Sequence, residues 1–333
     1  MEYYNSNQLA KVVKNDDSQI LIDLNTAKNY VVKSNDLIQK SKFELSAKEQ
    51  KIILALIQQI RPTDNELYPV AFKMSNFCNL AGITVGGRNY KHFKDAIQTL
   101  ADRSMWVTYK NEMGEEYYTL ARWIEDPIVN PKTSEVYLKL NDKLKPNLLN
   151  LKSNFTQYNF QYTLPMKGMY SVRLYEILKS YLFKVNKSKN KIKINVDVLR
   201  ELLTDAKDIK KKKFIYPRFV DFKRFVIEPA MDEINTYTDI EVSVDFEKTG
   251  RSITDLVFDI KSKSADAKQK SERNVINDLN RRTTDDPSSM YGRQISFEEY
   301  NQIKSVSEVI YASTNDEIEI PVANEQLYLD NIE

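Results

Sequence analysis

The order helix, strand, helix, helix, strand, strand occurs twice along this chain, and that repetition limits the possible folds more than any single motif. In the first pass Tyr30 to Lys33 is extended, and Ser34 stands as the N-cap of a helix over Asn35 to Lys40. Ser46, followed three residues later by Glu49, is a capping box. Beyond it Ile52, Ile53, Leu56, Ile57 and Ile60 recur at three- and four-residue spacing, which lays one apolar stripe along a helix that Pro62 ends. Alternation over Tyr68 to Met74 predicts a strand, Ser75 caps a short helix through Leu80, and Gly82, Gly86 and Gly87 mark a turn. A longer helix, Arg88 to Arg103, turns Tyr90, Phe93, Ile97 and Leu100 inward. Met105 to Lys110 and Tyr117 to Ile124 then read as a hairpin around Asn111 to Glu116, and a strand, Glu135 to Leu140, and a helix, Asn141 to Leu149, close the block.

The second pass runs from a helix over Lys167 to Phe183 through a strand, Lys191 to Ile194, to a helix that Asn195 caps and that ends at Leu203. After a basic loop come a long helix, Arg218 to Thr236, and paired strands, Ile240 to Glu247 and Ile253 to Ile260, around Gly250. Phe72 to Ser75 and Ile192 to Asn195 hold the same places 120 residues apart, as Phe93 and Ile97 do with Phe222 and Val226 at 129. This is the element order of a winged helix-turn-helix. The expected fold class is therefore α+β: two tandem winged-helix domains, residues 30–150 and 151–262, after an N-terminal arm, residues 1–29, and before an acidic, largely disordered tail, residues 263–333. Within that tail Ser262 to Arg293 is polar and rich in turn residues, whereas Phe297 to Tyr311 is weakly amphipathic and can form a short helix.

A chain of 333 residues fits this two-domain reading. The net charge of +2 conceals an asymmetry: from Lys263 onward 8 Lys and Arg face 14 Asp and Glu, while residues 1–262 hold 41 against 33. The expected folded part is thus at +8, which suits a polyanionic partner but also occurs in proteins without one. The polar start, Met1 to Ala10, lacks the apolar core of a secretion signal, and no run approaches 18 apolar residues, so no membrane association and a bacterial cytoplasmic location are expected. The single cysteine, Cys78, agrees with a reducing compartment.

Catalysis finds little support. With His92 the only histidine, a two-histidine metal site and the paired-histidine chemistry of rolling-circle nickases are both excluded, and a Ser-His-Asp triad would depend on that one residue. Gly82 to Asn89 has the glycine spacing of a phosphate-binding loop, but Arg88 and Asn89 stand where lysine and a hydroxyl are needed, and a helix precedes it instead of a strand. Neither enzymatic activity nor a cofactor or metal is expected.

The densest cation cluster lies between the last two helices of the second block. From Asp205 to Phe225, Lys207, Lys210, Lys211, Lys212, Lys213, Arg218, Lys223 and Arg224 face only Asp205, Asp208 and Asp221, with Phe214, Tyr216, Phe219 and Phe222 interleaved. On a wheel centred on Phe222, Val226 and Ala230, Arg224 points away from the core with Arg218 and Lys223 beside it. An arginine so placed can read guanine in the major groove while the lysines neutralise phosphates. Most such runs are merely solvated loops; the position against the third helix of a winged-helix pattern favours DNA contact. Lys248 and Arg251 mark the expected wing. In the first block Arg88, Lys91 and Lys94 lie near the outer side of the third helix, diluted by Asp95 and Asp102, and DNA contact, plain surface charge and a protein interface all remain open.

Three segments carry a family resemblance: KSNDLIQKSKFELSAKEQKIILALIQQI (Lys33 to Ile60), YSVRLYEILKSY (Tyr170 to Tyr181) and FKRFVIEPAMDEINTYTDIEV (Phe222 to Val242), the last with Glu233, Ile234 and Asn235 at its characteristic end. In this order they resemble the initiator replication proteins of theta-replicating, iteron-type plasmids, over residues 31 to 261. The resemblance implies two winged-helix domains that bind direct repeats of double-stranded DNA, the iterons, and help open the adjacent origin, with the second domain reading DNA most specifically. It further implies self-association through the first domain, repression of the chain's own promoter and contacts with host replication proteins. By position Arg218, Lys223 and Arg224 fall on the second recognition helix. Ser171 and Arg173 begin the first helix of that domain as candidates for phosphate contact or, equally, for capping and packing beside Leu174. A winged-helix transcriptional regulator without a replication role would need the same helices.

Overall fold

In a computed structural model of the protein, residues 30–76, 89–110, 113–130, 133–188, 191–204, 206–208, 213–282 and 292–313 are described. The N-terminal arm, Cys78, the glycine turn and Arg88 lie outside them, as do Lys210, Lys211 and Lys212. Local capping sets the first elements. β1 (Tyr30–Ser34) gives way to α1 (Asn35–Lys40) where Ser34 Oγ accepts from the Leu37 amide at 3.1 Å, and α2 (Ala47–Gln58) opens on the expected capping box, Glu49 N to Ser46 Oγ 3.2 Å and Ser46 N to Glu49 Oε2 2.7 Å. α2 does not face water on its far side as a single stripe would have it: Glu49 through Gln58 are all buried.

The first unit continues with β2 (Val70–Lys73), α3 (Asn89–Asp102), the hairpin β3 (Ser104–Lys110) and β4 (Glu116–Arg122), then β5 (Ile124–Asn130), β6 (Glu135–Leu140) and α4 (Lys145–Leu148). The strand expected over Tyr117 to Ile124 breaks at the buried Trp123, where the chain passes from the β3–β4 pair to a separate sheet containing β2, β6 and β5. β5 has no counterpart among the elements expected from sequence. Its pairing shifts register between Glu125 and Ile128, so the bulge takes up Pro127, which cannot donate to a ladder.

β7 (Phe155–Asn159) pairs antiparallel with β1, Tyr30 opposite Asn159, which carries residues 155–159 back to the first unit across the expected boundary after residue 150. α5 (Ser171–Ser188) follows and packs on α1 and β7 on one side and on the second unit on the other. The second unit has the expected order of β8 (Ile192–Asn195), α6 (Val196–Leu203) capped by Asn195, the long helix α7, and the long hairpin β11 (Ile240–Thr249) and β12 (Ser252–Ser262), sheet order β11-β12-β8, while a small pair, β9 (Ala206–Asp208) and β10 (Lys213–Phe214), stands where a basic loop is expected. α7 is one helix in three pieces, Phe219–Phe222, a π turn over Lys223–Ile227, and Glu228–Tyr237. The π turn precedes Pro229, which has no amide proton and whose ring would strike the carbonyl of Phe225 in a regular helix. One apolar core runs from Val31 and α2 through α5 to Phe258 and Ile260 of β12.

Residues 263–282 and 292–313 of the tail depart from expectation. Residues expected to be disordered form α8 (Ala265–Arg282), which buries Val275 and Leu279 against α7 and the 160–163 turn. Then β13 (Arg293–Gln294) adds an edge to β2, giving the sheet order β13-β2-β6-β5, and α9 (Phe297–Ser313) covers the sheet. There Ile295 and Tyr300 bury against Ala71 and Tyr137, and Tyr300 Oη donates to the Asp126 carbonyl at 2.7 Å. Of these elements the sequence pattern predicts only the amphipathic helix near Phe297. Sparse apolar residues suffice here because two preformed surfaces receive them. Among the described residues no helix is long and apolar enough to cross a membrane.

Candidate nucleic-acid interface

α7 is fixed from inside and from both ends. Phe222, Val226, Ile227, Ala230 and Ile234 are buried, the side expected to face inward. At its entry Arg200, from α6, donates to the Pro217 carbonyl at 3.2 Å and to Asp197 at 3.1 Å while its guanidinium lies against the Phe214 and Phe222 rings. At its exit Asn235 makes two bonds to the Val242 backbone, 2.8 and 2.9 Å, which pin α7 to β11. Between them Glu233 accepts from the amides of Lys167 and Gly168 at 2.8 and 3.0 Å, ahead of α5. A Cβ on Gly168 would stand 2.3 Å from Ser171 Oγ and 3.0 Å from Glu233 Oε2, so a side chain there would have to displace both. Arg200 and Glu233 are not among the site residues expected from sequence; Glu233 and Asn235 are visible there only as the end of the third family segment.

The outward side of α7 differs residue by residue. Arg218 is exposed but makes a two-bond pair with Asp221, Nε–Oδ2 2.6 Å and Nη2–Oδ1 3.0 Å, which holds its guanidinium further above the ordinary arginine range. Lys223 lies 3.1 Å from Glu228 and over the Phe246 ring. Arg224 is exposed and, among the described residues, has no carboxylate partner. The wing tip is cationic too: Gly250, at φ 62°, lets a two-residue loop join Thr249 to Ser252, and Lys248 and Arg251 are exposed there. Along the wing's stalk Asp245 and Glu247 are matched by Lys191, just before β8, and Lys193 of β8 at 2.7 and 2.5 Å, and among the described residues no carboxylate pairs with the tip charges. The structure therefore brings Lys223 and Arg224 together on α7, with Arg218 at its N-cap. Lys213 opens β10 opposite Asp208, immediately before that helix. Lys91 and Lys94 lie on α3, whose Ile97 and Leu100 are buried.

Ser171 and Arg173 are corrected. At 1% and 3% exposure neither side chain can reach an external phosphate. Arg173 instead donates to the Ser41 carbonyl at 2.6 Å, lies over the Phe43 ring at 4.3 Å and stands 3.9 Å from Glu176. Glu176 also pairs with Lys33 and accepts from Tyr158, so a buried polar cluster joins α5 to β1 and β7. Burial lowers the Arg173 guanidinium to about 10 and pushes the Lys33 ammonium down. Of the two open alternatives for these residues, packing within the fold is the one observed.

These features define a tandem winged-helix DNA-binding protein. Residues 30–179 match the WH1 model of the initiator replication proteins and residues 195–260 the WH2 model of the same proteins, in the order of the two units. The chain belongs to this initiator replication protein family. It is similar to a replication initiation protein of Escherichia coli, 24% identical over 234 residues that span 69% of each chain. It is also similar to the PI protein of Escherichia coli, 31% identical over 174 residues, half of this chain and 55% of that protein. Its fold matches the crystal structure of a Pi initiator protein in complex with iteron DNA with a TM-score of 0.54 at 22% identity, covering 72% of this chain and 99% of that one.

Proposed function

We propose that this chain initiates plasmid replication by binding repeated double-stranded DNA sites, the iterons, and promoting opening of the adjacent origin in the bacterial cytoplasm. Base reading falls to α7 and backbone contact to the wing tip and the lysines at 210–213. The observation that carries this reading is Arg224, exposed on the recognition helix with no carboxylate among the described residues to neutralise it. Auxiliary DNA contact through Arg88, Lys91 and Lys94, self-association through the first unit, repression of its own promoter and recruitment of host replication proteins belong to the same proposal, supported by family membership alone. The protein is read as a binding protein without catalytic activity.

Two measurements test it. A replicon lacking every other initiator should be maintained in a host only when this chain is supplied; specific binding without maintenance would leave a transcriptional regulator instead. Binding to the direct repeats should weaken steeply with salt, and changing Lys210, Lys211, Lys212 and Lys213 together to alanine should lower the slope of log K against log salt by about 0.9 for each phosphate these lysines neutralise. An unchanged slope would mean that the lysines are only solvated.

A further inference from the structure

The outward side of α7 is not purely cationic. Val220, in its first turn, is 70% exposed, and Phe225 is 50% exposed with its ring stacked on Tyr216 at 5.8 Å. Val220 belongs to neither apolar core, and a β-branched residue at an exposed helix position is less favourable than alanine, so the fold itself gives no reason for it. It stands one turn before Arg224 on the same side, with Arg218 two residues ahead. The first turn of a recognition helix is the part that meets base edges. Within a major groove lined by hydrogen-bonding groups, the one apolar feature is the C5 methyl of thymine.

We propose that Val220 is a specificity-determining residue that recognises a thymine through its 5-methyl group, within a few base pairs of the guanine taken by Arg224. The exposed cations of the same unit, Arg224 on α7 and Lys248 and Arg251 at the wing tip, favour a duplex over an apolar protein partner as the occupant of this face. The inference rests on the reading of α7 as the base-reading helix and adds the chemical group that its apolar part selects. Valine has no hydrogen-bonding side-chain atom, so its discrimination is between thymine and bases that lack the methyl, and it adds nothing to phosphate binding.

Uracil isolates this interaction, because it differs from thymine only by the methyl and keeps every hydrogen-bonding group. A duplex selected by the full chain from a random-sequence pool is resynthesised with each thymine replaced singly by uracil. The unmodified chain should lose about fourfold in affinity at one thymine, the worth of one buried methyl, and bind the other substituted duplexes like the parent. In Val220→Ala, which keeps the helix, that same replacement should change affinity by less than about 1.5-fold, while the salt slope stays that of the unmodified chain. Indifference of the unmodified chain to every uracil, or a methyl effect equally large in Val220→Ala, would overturn the assignment and leave the base-reading role of α7 standing. Failure of the chain to select any sequence would overturn that role, and the assignment with it.

Discussion

Arg224→Ala is the perturbation that most directly separates base reading from charge. The side chain is exposed and lies beside the neighbouring Phe225 ring, at 5.4 Å, while the helix is held by Phe222, Val226 and Ile227 on the opposite side. Its removal should leave folding intact, since alanine is the better helix former. A bidentate arginine–guanine pair is worth roughly 1–3 kcal/mol of discrimination, or about 5- to 150-fold in affinity. Fluorescence anisotropy against the cognate repeat and a panel of its single-base variants should show a loss of that size, with preference relaxed at one base pair and random duplex bound nearly as before. Arg218→Ala should do less, because Arg218 must first give up its two bonds to Asp221. Arg224→Lys should keep random-sequence binding and still lose the guanine preference, since a lysine lacks the planar fork. Uniform weakening of Arg224→Ala across the panel would make Arg224 a phosphate contact and refute its assignment as the base-reading residue.

Three further outcomes are expected. Ending the chain after Arg282 should lower the unfolding midpoint of the first unit, and Tyr300→Ala alone should cost about 3 kcal/mol by urea denaturation, because Tyr300 is buried and bonded to the Asp126 carbonyl; unchanged midpoints would show that β13 and α9 add nothing to the first unit. Glu233→Ala should destabilise the second unit by about 1–3 kcal/mol by stranding the amides of Lys167 and Gly168, with Glu233→Gln recovering part of the loss; equal losses in the two variants would show that these bonds carry nothing. Arg173→Met should leave the salt slope of DNA binding unchanged, since the buried guanidinium meets no phosphate, and should destabilise the fold by about 1–3 kcal/mol because the buried Ser41 carbonyl loses its donor while Lys33 and Glu176 stay paired; a slope reduced by about 0.9 would restore Arg173 as a phosphate-binding residue.

What is legible in the sequence is what the chain decides over a few residues. Ser34, Ser46 and Asn195 cap the helices they are expected to cap because a cap is a bond between a side chain and an amide two or three positions on. The inner side of α7 follows from the spacing of Phe222, Val226 and Ala230, and the outward place of Arg224 follows by elimination. The wing turn is visible in Gly250. Where the sequence misleads, the deciding partner is far away along the chain. Ser171 and Arg173 look available because a helix wheel puts polar residues opposite the apolar ones, a rule that assumes one buried side. α5 has no free side over its first turns: the first unit covers one half and the second unit the other, so its polar residues are buried in a cluster whose further members, Lys33 and Tyr158, come from paired strands. The tail misleads for the same reason. Its composition is that of a segment unable to form a core of its own, and its described residues form none alone: Val275 and Leu279 enter a core built by residues far earlier in the chain, and Ile295 and Tyr300 share theirs with Ala71 and Tyr137. The outward side of α7 escapes this difficulty because it is defined by what it does not pack against, and the buried spacing of Phe222, Val226 and Ala230 locates Arg224 without any distant residue.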